Sequence, residues 1–189
     1  MKVYALILTV LLLGSLVAVG FAAEGKNVIL LISEQNIEGP QRAWWASEVD
    51  LSATEGAIAQ QLLAAGYGVI DPAAVSGKIE RKPAFRTVDL SEKSSLQLGE
   101  LSKADYVIVG KAVASAGGNV PQSSMRSCFA NLSAKLIRVS DGKTVAFFES
   151  AGHSAHMDVI TGGREALKIG ADDLAVKIVN ALAKDSGGK

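Results

Sequence analysis

The sequence lacks the residue patterns on which most catalytic chemistry depends. It contains no Gly-x-Ser-x-Gly elbow, no phosphate-binding loop, no Cys-x-x-Cys pair and no His-Glu-x-x-His helix. Cys128 is the single cysteine, so an internal disulfide is excluded. We therefore expect a protein that is not an enzyme and that carries no cofactor and no metal.

An excess of charge of one sign is also missing. Lys and Arg number 19, and Asp and Glu number 19, so the field of the whole protein is weak. Nucleic acids and anionic membranes are bound by proteins with an excess of positive charge. The balance argues against both as partners.

One long uncharged stretch is present, at the start of the chain. Val3 to Phe21 carries no charge, Lys2 precedes it and small residues follow it, as in a secretory signal peptide cleaved after Ala22. The alternative is an uncleaved membrane anchor, which is the only route by which we expect membrane contact. No cysteine stands directly after the run, where a lipid would be attached, so we expect a periplasmic protein rather than a lipoprotein. We expect a single domain over residues 23–184 and a frayed tail over 185–189.

Three short apolar runs predict buried strands. Ala104 to Gly110 and Asn27 to Ile32 have the continuous apolar character of strands covered on both faces, and Tyr67 to Ile70 is a shorter one. After Ile32 we expect the chain to leave regular structure until Asp50. The sheet should be organised around the run at Ala104.

Capping patterns and helical spacing predict three helices. Ser52 and Glu55 have the spacing of a capping box, with Gly66 as the stop of that helix. A second helix is predicted from about Asp89 to Lys103. A third, amphipathic helix is predicted from about Gly163 to Ala183.

An antiparallel hairpin is predicted before the last helix. Ala116 to Pro121 is rich in turn residues, and Cys128 to Leu136 then alternates between apolar and polar residues with a period of two. Ser140 to Lys143 has the glycine of a hairpin turn, and Thr144 to Glu149 should return as the partner strand. The predicted class is α/β (α+β), a single mixed sheet in the order β-α-β-α-β-β-β-α with the helices packed on it.

This order, with three local strings, resembles a bacterial envelope family. The strings are Leu62-Leu-Ala-Ala-Gly-Tyr-Gly-Val-Ile-Asp71, Leu101-Ser-Lys-Ala-Asp-Tyr-Val-Ile-Val-Gly110 and Ala134-Lys-Leu-Ile-Arg-Val-Ser-Asp-Gly-Lys143. They resemble the small domain shared by the TolB N-terminal region, the curli secretion protein CsgG, the lipoprotein activators of penicillin-binding proteins and a flagellar assembly protein. The resemblance implies a non-enzymatic interaction or assembly module whose partner is another envelope protein, and it brings no catalytic residues.

The segment after the first strand is the predicted partner-binding region. It contains Trp44 and Trp45, together with Gln35 and Arg42, and binding crevices of open α/β sheets lie outside the carboxyl ends of strands. Tryptophan is over-represented at interface hot spots. Two alternatives stay open: the rings cover the sheet edge, or the crevice beside them binds a small ligand. An exposed edge of the hairpin would be a second route to a protein partner, by sheet augmentation.

Three further features have a structural and a functional interpretation. His153 and His156 lie close to Glu149 and Asp158, but a step of three residues on a strand puts the two rings on opposite faces, which disfavours a metal site. Cys128 falls in the inward-facing series and is expected to be a buried thiol, with an intermolecular disulfide as the alternative. Gly162-Gly163 is expected to be a loop, with an anion site at the following helix start as the alternative.

Overall fold

A computed structural model describes residues 25–37, 52–71 and 92–187 of the protein. These residues form five strands and three helices. In chain order they are β1 (Asn27–Gln35), α1 (Ala53–Ala64), β2 (Gly68–Ile70), α2 (Glu92–Ser102), β3 (Tyr106–Asn119), β4 (Arg126–Arg138), β5 (Thr144–His156) and α3 (Val159–Gly187). The predicted element order and the single mixed sheet of the α/β (α+β) class are confirmed. No helix within these ranges is both long and apolar enough to cross a membrane.

The sheet has the strand order β2-β1-β3-β4-β5. β1 runs parallel to both β2 and β3, whereas β4 runs antiparallel to both β3 and β5. β3 therefore lies in the middle, as its uninterrupted apolar sequence predicts. The two edges differ in length, since β2 has 3 residues and β5 has 13.

The helices cover the two faces of this sheet unequally. α1 and α3 pack on one face, which we call the inner face, and bury the main core there. The alternation predicted for β4 is confirmed, because its even-numbered residues point into this core: Cys128, Ala130, Leu132, Ala134 and Leu136. On the opposite face, Leu98 of α2 packs in a smaller cluster over β1 and β3, with Ile29, Leu31, Ala104 and Val107.

Three predicted helix and turn signals form as expected. The Ser52 hydroxyl accepts a hydrogen bond from the Glu55 amide at 3.0 Å, which satisfies one amide at the start of α1. Gly66 follows α1 with φ +86°, and Gly142 lies in the β4–β5 turn with φ +66°. Both glycines adopt the left-handed conformation that side chains with a Cβ disfavour.

Three of the four long strands, β1, β3 and β5, extend well beyond what the sequence patterns predict. β1 continues through Gln35 because residues 33–35 pair with residues 111–113 of β3. β3 does not end at Gly110, and the predicted turn at residues 116–119 is a strand with a register shift. The turn comes later and is closed by the Val120 amide donating to the Met125 carbonyl at 2.9 Å. β5 continues past Glu149 to His156, so pairing between strands overrides the local turn composition.

The last helix is also longer than predicted at both ends. It begins at Val159, and Gly162 and Gly163 are buried within it, so their interpretation as a loop is wrong. A Cβ on Gly162 would lie 2.6 Å from the Cys128 sulfur, and the glycine is needed because α3 lies so close to β4. The helix continues to Gly187, past the predicted end at Ala183, because Asp185 is hydrogen-bonded to the sheet.

Candidate interaction surface

The predicted partner-binding residues are only partly described by the structure. Trp44, Trp45 and Arg42 lie outside the described residues, so their role stays a prediction. Gln35 is not in a loop but is the exposed last residue of β1, opposite Val113 of β3. This carboxyl end of β1 lies beside the middle of β3, which runs parallel to it and continues to Asn119.

Two carboxylates tie this carboxyl edge to the start of α1. The Thr54 amide donates to Glu34 at 2.8 Å, and the Ile32 amide donates to Glu55 at 3.1 Å. Burial raises the pKa of the Glu55 carboxyl, the Ile32 amide lowers it, and the charge of Glu34 raises it further. The Thr54 hydroxyl is buried and has no hydrogen-bond partner among the described residues. Because both carboxylates already bind backbone amides, these groups position α1 on the sheet.

A broader exposed surface lies on the face of the sheet opposite α3, and we call it the outer face. It consists of the odd-numbered side chains Lys111, Val113 and Ser115 of β3, Phe129, Asn131, Ser133 and Lys135 of β4, and Phe147, Glu149, Ala151 and His153 of β5. A shallow depression of about 570 Å³ lies at its centre, between Lys111, Asn131 and Glu149. None of the three described helices buries the β4 and β5 part of this face, where Phe129, Asn131, Ser133, Phe147, Glu149, Ala151 and His153 are all exposed.

Aromatic side chains stand on the outer face. Phe147 is 77% exposed and Phe129 is 43% exposed. The rings of Phe129 and His153 are neighbours across β4 and β5, with centroids 5.0 Å apart. On the other side of Phe129, a Cβ on Gly117 would come within 2.5 Å of the ring, so the glycine leaves space for it. Aromatic residues are enriched at protein interfaces, and the position and exposure of these side chains are those of an interface.

The outer face ends at β5, the last strand of the sheet. Within the described part of the chain no strand pairs with its far side, so the unpaired edge considered from the sequence is present. β5 has no proline and only one formally charged residue, Glu149. From α3, the Lys177 ammonium donates to the Glu149 carbonyl at 2.8 Å. Native edge strands are commonly protected by proline, charge or short length, and β5 has little of this protection.

The two histidines lie on opposite faces, as their spacing predicts. His153 is on the outer face, and the Nδ1 of His156 accepts a hydrogen bond from the Asp158 amide at 3.0 Å. The Asp158 carboxylate in turn accepts from the Thr161 amide at 2.9 Å, so it caps the start of α3. No group of three or more metal-binding side chains converges among the residues that the structure describes.

Cys128 is a buried structural thiol, as its place in the β4 pattern predicts. Burial raises the pKa of its thiol, which disfavours the reactive thiolate. Its sulfur lies 3.8 Å from the Val159 carbonyl, beneath the first turn of α3. The position leaves no exposed sulfur for a disulfide between molecules.

At the opposite, amino end of the parallel strands a charged cluster closes the fold. Asp185 of α3 accepts hydrogen bonds from the Tyr106 hydroxyl at 2.7 Å and from Arg138 Nε at 3.1 Å, and it pairs with a second Arg138 nitrogen. Lys26 lies over the Tyr106 ring and donates to the Ser186 hydroxyl at 3.1 Å. A cleft of about 730 Å³ beside them is lined by groups that already bind one another. Sequence analysis missed this cluster because its members are far apart in the chain and share no motif.

The comparisons with known proteins identify the fold and no closer relationship. The sequence matches no family model and no curated protein. The hypothetical protein CT253 from Chlamydia trachomatis has the same fold, with a TM-score of 0.50 at 11% identity over 87% of this chain and 99% of that one. Weaker similarity is found to the lipoprotein GNA1162 from Neisseria meningitidis, with a TM-score of 0.43 at 15% identity over 84% of this chain and 99% of that one. The LpoB C-terminal domain from Escherichia coli has a TM-score of 0.38 at 14% identity over 67% of this chain and 82% of that one. At such identities the likeness is one of fold, and the relation to TolB and CsgG stays a prediction.

Proposed function

We propose that this protein is a non-enzymatic interaction module of the bacterial cell envelope, and that it binds another envelope protein through its outer face. The observation that carries the proposal is the exposure of three rings on the outer face: Phe129 and its neighbour His153, and Phe147 further along β5. These rings are exposed on a rigid sheet although the core on the inner face is complete without them. Exposed aromatic groups that the fold does not need are typical of binding surfaces.

The location in the periplasm rests on the apolar stretch from Val3 to Phe21 and the small residues that follow it. Two of the structural neighbours have names that describe a lipoprotein, but Cys128 is the only cysteine in this chain and it lies in β4. We therefore propose a form without a lipid anchor. The non-enzymatic role is supported by the lack of catalytic motifs in the sequence.

Photo-crosslinking in living cells tests the proposal. A photoreactive amino acid at Phe129, on the β4 part of the outer face, should give a discrete crosslinked product with a second envelope protein, identified by mass spectrometry. Ile169 is the matched control, because it is a large apolar residue with similar exposure, 49%, on α3. Identical products from both positions, or none from Phe129 in a folded and exported protein, would contradict the proposal. A photoreactive amino acid at Trp44 tests separately whether the predicted partner-binding segment after β1 contacts the same partner.

A further inference from the structure

We propose that β5 pairs with β5 of a second copy of this chain, so that two sheets join into one across a two-fold axis. The inference rests on the proposed function only in that the joined sheets would enlarge the same outer face. Three properties of β5 indicate that the partner at its edge is a second copy of the chain. They are its length, the residues that a two-fold axis would bring together, and the way its edge is covered within the chain.

The first property is that β5 offers a long edge, which is regular from Ala146 to His156 and has one register shift at Val145. It has 13 residues, and its inner-face side is held firmly because the Ser150 and Ser154 hydroxyls donate to carbonyls of α3 at 2.7 and 2.6 Å. A rigid edge is ready to pair, because little conformational entropy remains to be lost. An antiparallel partner over the full length would add roughly a dozen backbone hydrogen bonds.

The second property is the chemistry across the axis. In an antiparallel pair, residues opposite each other lie on the same face of the sheet. When the two strands are identical and related by a two-fold axis, the axis must therefore pass between the two copies of one residue. An axis at Glu149 would set two carboxylates against each other, which is destabilising. An axis at Ser150, the midpoint of β5, pairs the whole strand and sets Glu149 opposite Ala151 of the second copy.

The same register brings the aromatic groups together. Phe147 of one copy then lies opposite His153 of the other, and His153 already contacts Phe129 within its own chain. By symmetry this row of three rings occurs twice, and it would cover the most exposed aromatic side chain of the described residues. Cross-strand aromatic pairs stabilise a sheet. A second copy therefore accounts for the exposure of Phe147 on a strand that otherwise packs well.

The third property is that Lys177 competes for this edge. Its ammonium donates to the Glu149 carbonyl at 2.8 Å and pairs with Asp173 at 2.6 Å. Lys168 is a matched residue on the same helix, since it makes an equivalent pair with Asp172 at 2.8 Å with no bond to β5 among those of the described residues. Lys177 should therefore weaken the association and Lys168 should not affect it.

Sedimentation velocity of the full-length exported protein, purified without an affinity tag, tests the association. The wild-type protein should show a concentration-dependent equilibrium between monomer and dimer, and Lys177→Ala should lower the dimer dissociation constant about threefold to tenfold, a change of about 0.7 to 1.4 kcal/mol. Lys168→Ala should leave it unchanged. Monomers of both the wild-type and Lys177→Ala proteins up to about 100 μM, the range of weak contacts, would overturn the inference.

Disulfide trapping tests the register without relying on a destabilised variant. Glu149→Cys protein mixed with Ala151→Cys protein should give a crosslinked dimer under mild oxidation, because opposite residues of an antiparallel pair are within disulfide reach. Glu149→Cys mixed with Phe147→Cys should not. Preferential crosslinking of the second mixture would overturn the register. A monomer that still crosslinks a foreign protein from Phe129 would contradict self-association alone, whereas a dimer without a foreign partner would contradict the proposed function alone.

Discussion

The inner and outer faces of the β4–β5 hairpin differ although they alternate along the same residues. On the inner face, Leu132 is 3% exposed and small residues such as Gly152 let α3 approach closely. On the outer face, the neighbouring residues Asn131 and Ala151 are exposed and no described helix covers them. The described helices thus bury this hairpin from one side only, and the apolar groups on its other side are available for binding. Substitutions on the two faces should therefore have very different effects.

Gly152→Ala should have the largest effect on stability. A Cβ at this position would lie 1.8 Å from the carbonyl oxygen of Ala166, a backbone atom that moves only if α3 moves. We expect a loss of about 4 kcal/mol or more in the free energy of unfolding, measured by chemical denaturation, since overpacking against backbone cannot relax. Gly118→Ala, with no atom within 4 Å, is the control and should be tolerated. Equal stability of the two variants would show that α3 is not seated closely on β5.

Leu132→Ala and Asn131→Ala compare the two faces at adjacent positions of β4. Leu132 contributes to the main core, so its truncation should cost about 3 kcal/mol through lost burial and the cavity left behind. Asn131 is exposed on the outer face, and its truncation should change stability by less than about 0.5 kcal/mol. Urea unfolding of both variants gives the comparison. A similar loss from Asn131→Ala would mean that something covers the outer face in the free protein.

Asp185→Asn tests how the last turn of α3 is held on the inner face. Hydrogen bonds from Arg138, and then from Tyr106, lower the pKa of the Asp185 carboxyl below its usual 3.8. Its contribution to stability is therefore complete above pH 3.8 and is lost as the pH falls through the lower folded-state value. The variant should melt a few degrees below the wild-type protein at pH 7, and the gap should narrow in acid.

Thermal melts between pH 7 and pH 2 measure this gap. Asp172→Asn is the control, because its pair with Lys168 is exposed and such pairs stabilise little. A gap that stays constant down to the lowest pH would indicate that Asp185 acts through packing and not through its charge.

Local patterns predicted much of the fold and little of the surface. The apolar run at Tyr106 and the alternation around Leu132 predict buried strands, because each buried position requires an apolar residue and the resulting pattern is visible in the sequence. The length of β3 was missed because Gly117 resembles a turn residue, whereas it leaves space for the Phe129 ring. The pattern from Thr144 to Glu149 did not show that β5 continues through Gly152, where it packs closely against α3. The outer face could not be identified, since exposure of Phe147 depends on which face the helices leave open. The predicted site at Trp44 lies outside the described residues.

Glu55→Gln should have the smallest effect, and its dependence on pH carries the information. Burial raises the pKa of Glu55 above its usual 4.5, so the charged form costs stability as the pH rises from 4.5 through the folded-state value. Glutamine keeps an oxygen to accept from the Ile32 amide and removes the charge. At pH 7 we expect the free energy of unfolding to be unchanged or to increase by up to about 1 kcal/mol, with the gain vanishing as the pH falls toward 4.5.

Denaturant unfolding of Glu55→Gln and Glu55→Ala at several pH values separates the charge of this residue from its hydrogen bond. The alanine variant leaves the Ile32 amide without its acceptor and should lose about 1 to 3 kcal/mol at every pH. If the glutamine variant loses as much free energy of unfolding as the alanine variant at pH 7, the charge of Glu55 itself stabilises the protein. The negative end of Glu55 would then stabilise the start of α1 more than its burial costs.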